Sequence, residues 1–160
     1  MSTRSYIGIE YPNKKIEMVY CHSDGYVSHN GIKLLSFYNN SKAVEKIMKL
    51  GCLSFLDNKL TPKKGVEHAF YPKSRQKGVS LFYKRDRGDT DVDSLKWDSL
   101  DHFLKEVLKD AWYIEYVYLF KNNRWHLLHK GKFVVLSDLI DNLIDKERNE
   151  AWENENTKGA

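Results

Sequence analysis

Two strand-like segments broken by Asn122-Asn123 leave the C-terminal half of this chain little choice of architecture. From Trp112 to Phe120 the residues are dense in Tyr and β-branched side chains, and 124–129 continues in the same style. Such side chains fit a pleated, half-buried surface. An Asn pair tolerates the positive φ of a tight turn, so the spacing predicts a β-hairpin. The N-terminus repeats the pattern. Residues 5–11 alternate, Pro12-Asn13 supplies turn chemistry, and 15–21 alternates again with Ile16, Met18 and Tyr20 on one side. Asp24-Gly25 ends this second hairpin.

Elsewhere the apolar period lengthens to that of a helix. One helix is predicted from Ser28 to Tyr38, with Ile32, Leu35 and Phe37 or Tyr38 inward. A second, capped by Ser41, carries Val44, Ile47 and Met48 and stops at Gly51. The clearest helix covers 99–109, where Leu100, Phe103, Leu104, Val107 and Leu108 share one face. A last one follows Ser137 with Leu139, Ile140, Leu143 and Ile144 as its stripe. Residues 53–78 are irregular around Pro62, Gly65, Pro72 and Gly78, and a strand is expected at 79–84 with Val79, Leu81 and Tyr83 on one face. Hairpins dominate and no βαβ alternation is sustained. The expected class is therefore α+β: a single domain over residues 1–149, a mainly antiparallel sheet with helices packed on one face, and a polar tail at 150–160 expected to fray.

At 160 residues the chain has the length of one domain, and 41% apolar residues are enough for a core. Two cysteines, Cys21 and Cys52, are too few for a disulfide framework. No apolar run follows Met1-Ser2-Thr3-Arg4 as a secretory signal would, and none is long enough to span a membrane. A reducing, cytoplasmic setting without membrane contact is expected.

The net charge of +4 hides a split. Residues 1–88 hold 16 Lys/Arg against 7 Asp/Glu, whereas 89–160 hold 10 against 15. Nine of the cations lie in 59–87, beside only Glu67 and Asp86. Aromatic residues are interleaved there. Lys63, Lys64, Tyr71, Lys73, Arg75, Lys77, Tyr83, Lys84, Arg85 and Arg87 thus make up a candidate binding surface. This composition suits nucleic acid or a polyphosphate, an acidic protein face, or a loop whose lysines only confer solubility.

Candidate chemistry is sparse. His22 and Asp24, at a strand end before a helix, form a possible acid–base pair, with turn chemistry as the simpler reading. Ser28 and the N–H groups after it offer a place for an anion. Cys21 beside His22 points to the opposite face of a strand, so the two form no thiol–imidazole dyad. His22, Asp24 and His29 are the nearest approach to a metal set, but no metal-ligand spacing occurs and no metal or cofactor is expected. Arg85 and Arg87, around Asp86 and before Gly88, can clamp a phosphate or form an internal ion-pair turn.

Three stretches carry a resemblance: Arg4-Ser5-Tyr6-Ile7-Gly8-Ile9-Glu10, then Tyr20-Cys21-His22-x-Asp24-Gly25-Tyr26, then Leu34, Leu35 and Tyr38. With Arg85 to Gly88, Tyr118-Leu119-Phe120 and Trp125, the chain resembles a group of small proteins encoded in bacteriophages and prophages over residues 4–145. Proteins of that group usually carry Pro after the motif's last Tyr, where this chain has Val27, so a different entry to the helix is expected. The resemblance implies an accessory protein acting in the host cytoplasm. Its expected role is non-catalytic: it binds and inhibits a host protein or nucleoprotein complex, such as a CRISPR-type defence effector. The competing expectation is a small enzyme or binding domain for a phosphorylated or nucleotide ligand, using His22, Asp24, Arg85 and Arg87. That alternative requires residues 22–24 and 85–87 to converge.

Overall fold

The computed structural model describes residues 2–109 and 113–158. Strands β1 (Ser5–Glu10) and β2 (Ile16–Cys21) form the first hairpin. Strands β3 (Leu53–Phe55), β4 (Leu81–Phe82) and β5 (Leu95–Trp97) are short. Strands β6 (Tyr116–Lys121), β7 (Arg124–His129) and β8 (Lys132–Val135) make a meander. All join one sheet in the order β4-β3-β2-β1-β6-β7-β8, with β5 also paired to β2. Two contacts are parallel, β1 with β6 and β2 with β3, and the rest are antiparallel. Asn122 and Asn123 both take positive φ, as the hairpin turn requires.

The helices are α1 (Ile32–Phe37), α2 (Ser41–Leu50), α3 (Tyr83–Arg87), α4 (Leu100–Lys109) and α5 (Leu136–Lys158). The α+β class and mainly antiparallel sheet are as expected. The helices, however, cover both faces rather than one. Ile7, Ile9, Val19 and Tyr118 face α1, α2 and α5 in a core with Leu34, Val44, Ile47 and Leu136. Ile16, Met18, Val117 and Leu119 point the other way and pack with Trp97 of β5 and Phe103 and Val107 of α4. Period-two alternation puts apolar residues on both faces of the central strands, so each face needs its own cover.

Several local expectations are corrected. Ile32 and Phe37 are 39% and 48% exposed and Leu34 is buried instead, while Tyr38, the expected alternative to Phe37, is buried. A π-helical turn over Val27–Gly31 precedes α1, and its wider winding shifts the phase of the residues that follow. Asn40, not Ser41, caps α2: its side chain accepts the Ala43 amide at 2.9 Å. The strand at 79–84 shrinks to Leu81–Phe82 because Tyr83 already begins α3. β6 starts at Tyr116, and Trp112 lies outside the described residues. Residues 150–158, expected as a polar tail, continue the helical path of α5, where the Lys146–Glu150 pair has i, i+4 spacing.

Candidate functional site

The irregular stretch after β3 is folded around buried polar side chains. The Asp86 carboxylate is 2% exposed. It accepts the Phe82 amide at 2.8 Å and both Nε and Nη2 of Arg85, at 2.8 and 3.0 Å. Arg85 also donates from Nη1 to Leu60 O at 2.5 Å and from Nη2 to Ser80 O at 2.9 Å. The His68 imidazole lies 3.5 Å from Asp86. Its Nδ1 accepts the Gln76 amide at 3.0 Å, so its proton sits on Nε2, 3.2 Å from Ser80 O. Gln76 ties the two arms of the loop together. Its Oε1 accepts Lys63 N at 2.6 Å, and its Nε2 donates to Lys63 O and Val66 O at 3.2 and 2.9 Å. Backbone groups that no regular ladder satisfies are thus satisfied by side chains. The sequence reading missed His68 and Gln76; a lone His and a lone Gln in a charged stretch carry no spacing signal.

This scaffold sorts the cations. Arg85 is taken up internally. Arg87 is bidentate to Asp89 at 2.9 and 2.7 Å, and its guanidinium lies 4.4 Å from the Phe70 ring centre and 4.7 Å from that of Tyr83. The same contact holds the Asp89 carboxyl below its usual range. Lys84 pairs with Asp93 at 3.0 Å. Lys59, Lys63, Lys64, Lys73 and Lys77 are exposed and, among the described residues, meet no carboxylate. Arg75 is exposed, with Nε on Phe70 O at 2.7 Å and its guanidinium over the Phe70 ring. Phe70 in turn stacks on Tyr83, and Tyr71 beside it is 75% exposed. Of the ten expected binding residues, Lys63, Lys64, Tyr71, Lys73, Arg75 and Lys77 present a surface. Lys84, Arg85 and Arg87 are ion-paired, and Tyr83 supports from beneath.

The 20–26 motif knits the sheet end together. Tyr20 Oη accepts Arg4 Nε at 3.1 Å and shares a hydrogen bond with His22 Nδ1 at 2.7 Å. Burial and the Arg4 charge push the His22 pKa down. Asp24 takes φ 55° in a left-handed turn and does not engage His22. Gly25 donates to Thr3 O at 2.9 Å, and an added Cβ would stand 2.8 Å from that oxygen. Tyr118 Oη donates to Gly25 O at 2.7 Å. Burial pushes the Cys21 thiol up to about 11, which keeps it protonated at neutral pH. Among the described residues, no three or more His, Cys, Asp or Glu side chains cluster as a metal site would require.

Residues 22–24 and 85–87 lie on strand ends separated by β3, since Cys21 and Phe82 both pair with Leu53, and Arg85 and Arg87 turn to Asp86 and Asp89 instead. No hydrogen bond or ion pair crosses between the two groups among the described residues. The anion expected near Ser28 is internal. Glu147 of α5 accepts Val27 N at 2.9 Å and Ser28 N at 3.1 Å, and Tyr116 Oη donates to it at 3.2 Å. Glu147→Ala removes an N-terminal cap and one hydroxyl bond, so it should destabilise the fold by about 1–2 kcal/mol. A drop in Tm of roughly 2–8 °C is the expected reading in a thermal melt.

In comparisons with protein-family models, curated proteins and solved structures, nothing matches this chain. Among the described residues, no helix is long and apolar enough to cross a membrane.

Proposed function

We propose that this chain is a non-catalytic binding protein of phage type. It occupies a host protein or nucleoprotein complex in the host cytoplasm, a CRISPR-type defence effector being the class of target, through the face built on residues 59–77. One observation carries this reading. Five lysines that meet no carboxylate among the described residues, Arg75 and the 75%-exposed Tyr71 stand on a loop whose backbone is fixed from within by Gln76, His68 and the Arg85–Asp86 pair. A loop that only conferred solubility would have no need of such anchoring, and function concentrates on loops held by a rigid scaffold. The competing reading, a phosphorylated ligand held by Arg85 and Arg87 against His22 and Asp24, is weakened because both arginines already have carboxylate partners.

The test is protection of a targeted phage. Bacteria carrying CRISPR-type defence are expected to regain plaques when they express the wild-type chain. They should not do so with Lys63→Glu, Lys64→Glu and Lys73→Glu combined. Failure of the wild type to restore plaques against a panel of such systems overturns the proposal. Loss of the effect in His22→Ala, with the lysine variant still active, would instead favour the ligand-binding reading.

A further inference from the structure

We infer that the 59–77 face takes a single strand of nucleic acid, with a base stacked on Tyr71 and phosphates on the neighbouring lysines. This deepens the binding-face reading above and rests on it. Three features separate a strand from an acidic protein surface as the occupant. The first is the kind of cation left free. The arginine forks of residues 85 and 87, the groups best suited to bidentate carboxylates, are already paired inside the chain. What remains is mainly lysine, a point charge that suits the spaced, single negative charges of a phosphate backbone.

The second feature is the aromatic platform. Phe70 stacks on Tyr83 at 5.9 Å between ring centres, and Arg75 and Arg87 lie over the Phe70 ring. Buttressed this way, the segment presents its next residue, Tyr71, as a largely bare ring. A ring in water among cations is what an unstacked base meets when a protein binds without reading sequence. The third feature is spatial. Gln76 joins Lys63 to the segment that carries Lys77, and Lys59 pairs with Gly78 and Ser80 through its backbone. Lysines distant in sequence therefore lie along one folded loop, so several phosphates can be met together. A duplex offers the lysines as much charge but no free base face to Tyr71.

Fluorescence anisotropy with a labelled 15-nucleotide oligo(dT) or oligo(U) tests this directly, across a salt series. The expected plot of log K against log salt has a slope of roughly −2 to −4 for three to five phosphates, at about −0.7 for each. Each Lys→Ala change at 63, 64, 73 or 77 should flatten it by about 0.7, whereas Lys105→Ala on α4 should leave it unchanged. Tyr71→Ala should weaken binding about tenfold and Tyr71→Phe should hardly change it. A duplex of the same length should bind less well. Exposed-side-chain changes of this kind leave the fold intact, which a melt of each variant checks. Absence of binding at low salt, or equal binding of duplex and strand with no effect of Tyr71→Ala, overturns the inference. In that case restored plaques would still uphold the inhibitor reading, with an acidic protein face as the occupant.

Discussion

Replacing Asp86 by alanine is expected to cost about 3 kcal/mol and to lower Tm by roughly 6–12 °C. The carboxylate is buried and serves three groups: the Phe82 amide, the Arg85 guanidinium and the edge of His68. Removing it leaves a buried amide without its acceptor and a three-quarters-buried guanidinium without its counter-charge. Breaking one side of such a pair is costlier than replacing both, because the remaining charge keeps its desolvation penalty. Asp86→Asn keeps the shape but offers one accepting oxygen instead of two, so an intermediate loss is expected. Urea unfolding measures both losses. Hydrogen exchange locates them: the Gln76 and Ser80 amides, which donate to His68 Nδ1 and Lys59 O, should lose protection first. A loss under about 1 kcal/mol would show that the loop does not depend on this carboxylate. The same variant bears on function. It removes no phosphate contact, so the salt slope for a bound strand should keep its value while affinity falls, because the loosened loop must be ordered on binding.

The strands and helices were legible where a residue pattern reports a single local period. The 5–21 hairpin, the Asn122-Asn123 turn and the helices at 41–50 and 100–109 all follow from alternation or from i, i+3, i+4 spacing. What alternation does not say is how many layers cover a sheet. Ile7 and Met18 are equally apolar and both fully buried, yet they face opposite cores, and only the packing of α4 reveals the second one. Phase was lost at the π turn over 27–31, since one extra residue in a turn rotates all that follows.

The site was legible as composition but not as roles. Charge counting locates residues 59–87 but does not say which of the nine cations the fold leaves free. Their sorting depends on contacts between residues far apart in sequence, such as Arg85 with Leu60 O, or Glu147 with Val27 N at 120 residues' separation. Arg85 and Arg87, which the sequence leaves between a phosphate clamp and an internal ion-pair turn, take the second form, on Asp86 and Asp89. Lys63 and Lys73 had no motif around them and are left facing water. Counter-charges are satisfied first by whatever carboxylate the fold brings close, and the unsatisfied remainder defines the surface.

Gly8→Ala carries the other large expected effect, a loss of about 3 kcal/mol. Gly8 lies at the middle of β1, opposite Met18 of β2, in the centre of the sheet. Its missing side chain would point toward the α4 layer, where the Met18 thioether covers it. A Cβ built there overlaps the Glu17 carbonyl oxygen and Met18 Sδ, and stands 2.9 Å from Met18 Cα. The sulfur can swing away, since Met is flexible. The carbonyl cannot, because it belongs to the β1–β2 ladder, and moving it strains the neighbouring β1–β6 ladder through the same strand. Met18→Ala in the same chain should therefore fail to rescue Gly8→Ala, and its own cavity should add to the loss. A double-mutant cycle by urea unfolding measures this coupling. Full rescue by Met18→Ala would mean that the side chain, not the backbone, sets the limit at this position. Persistent loss would place the constraint in the two ladders that meet at β1, the strand that joins the N-terminal hairpin to the β6–β8 meander.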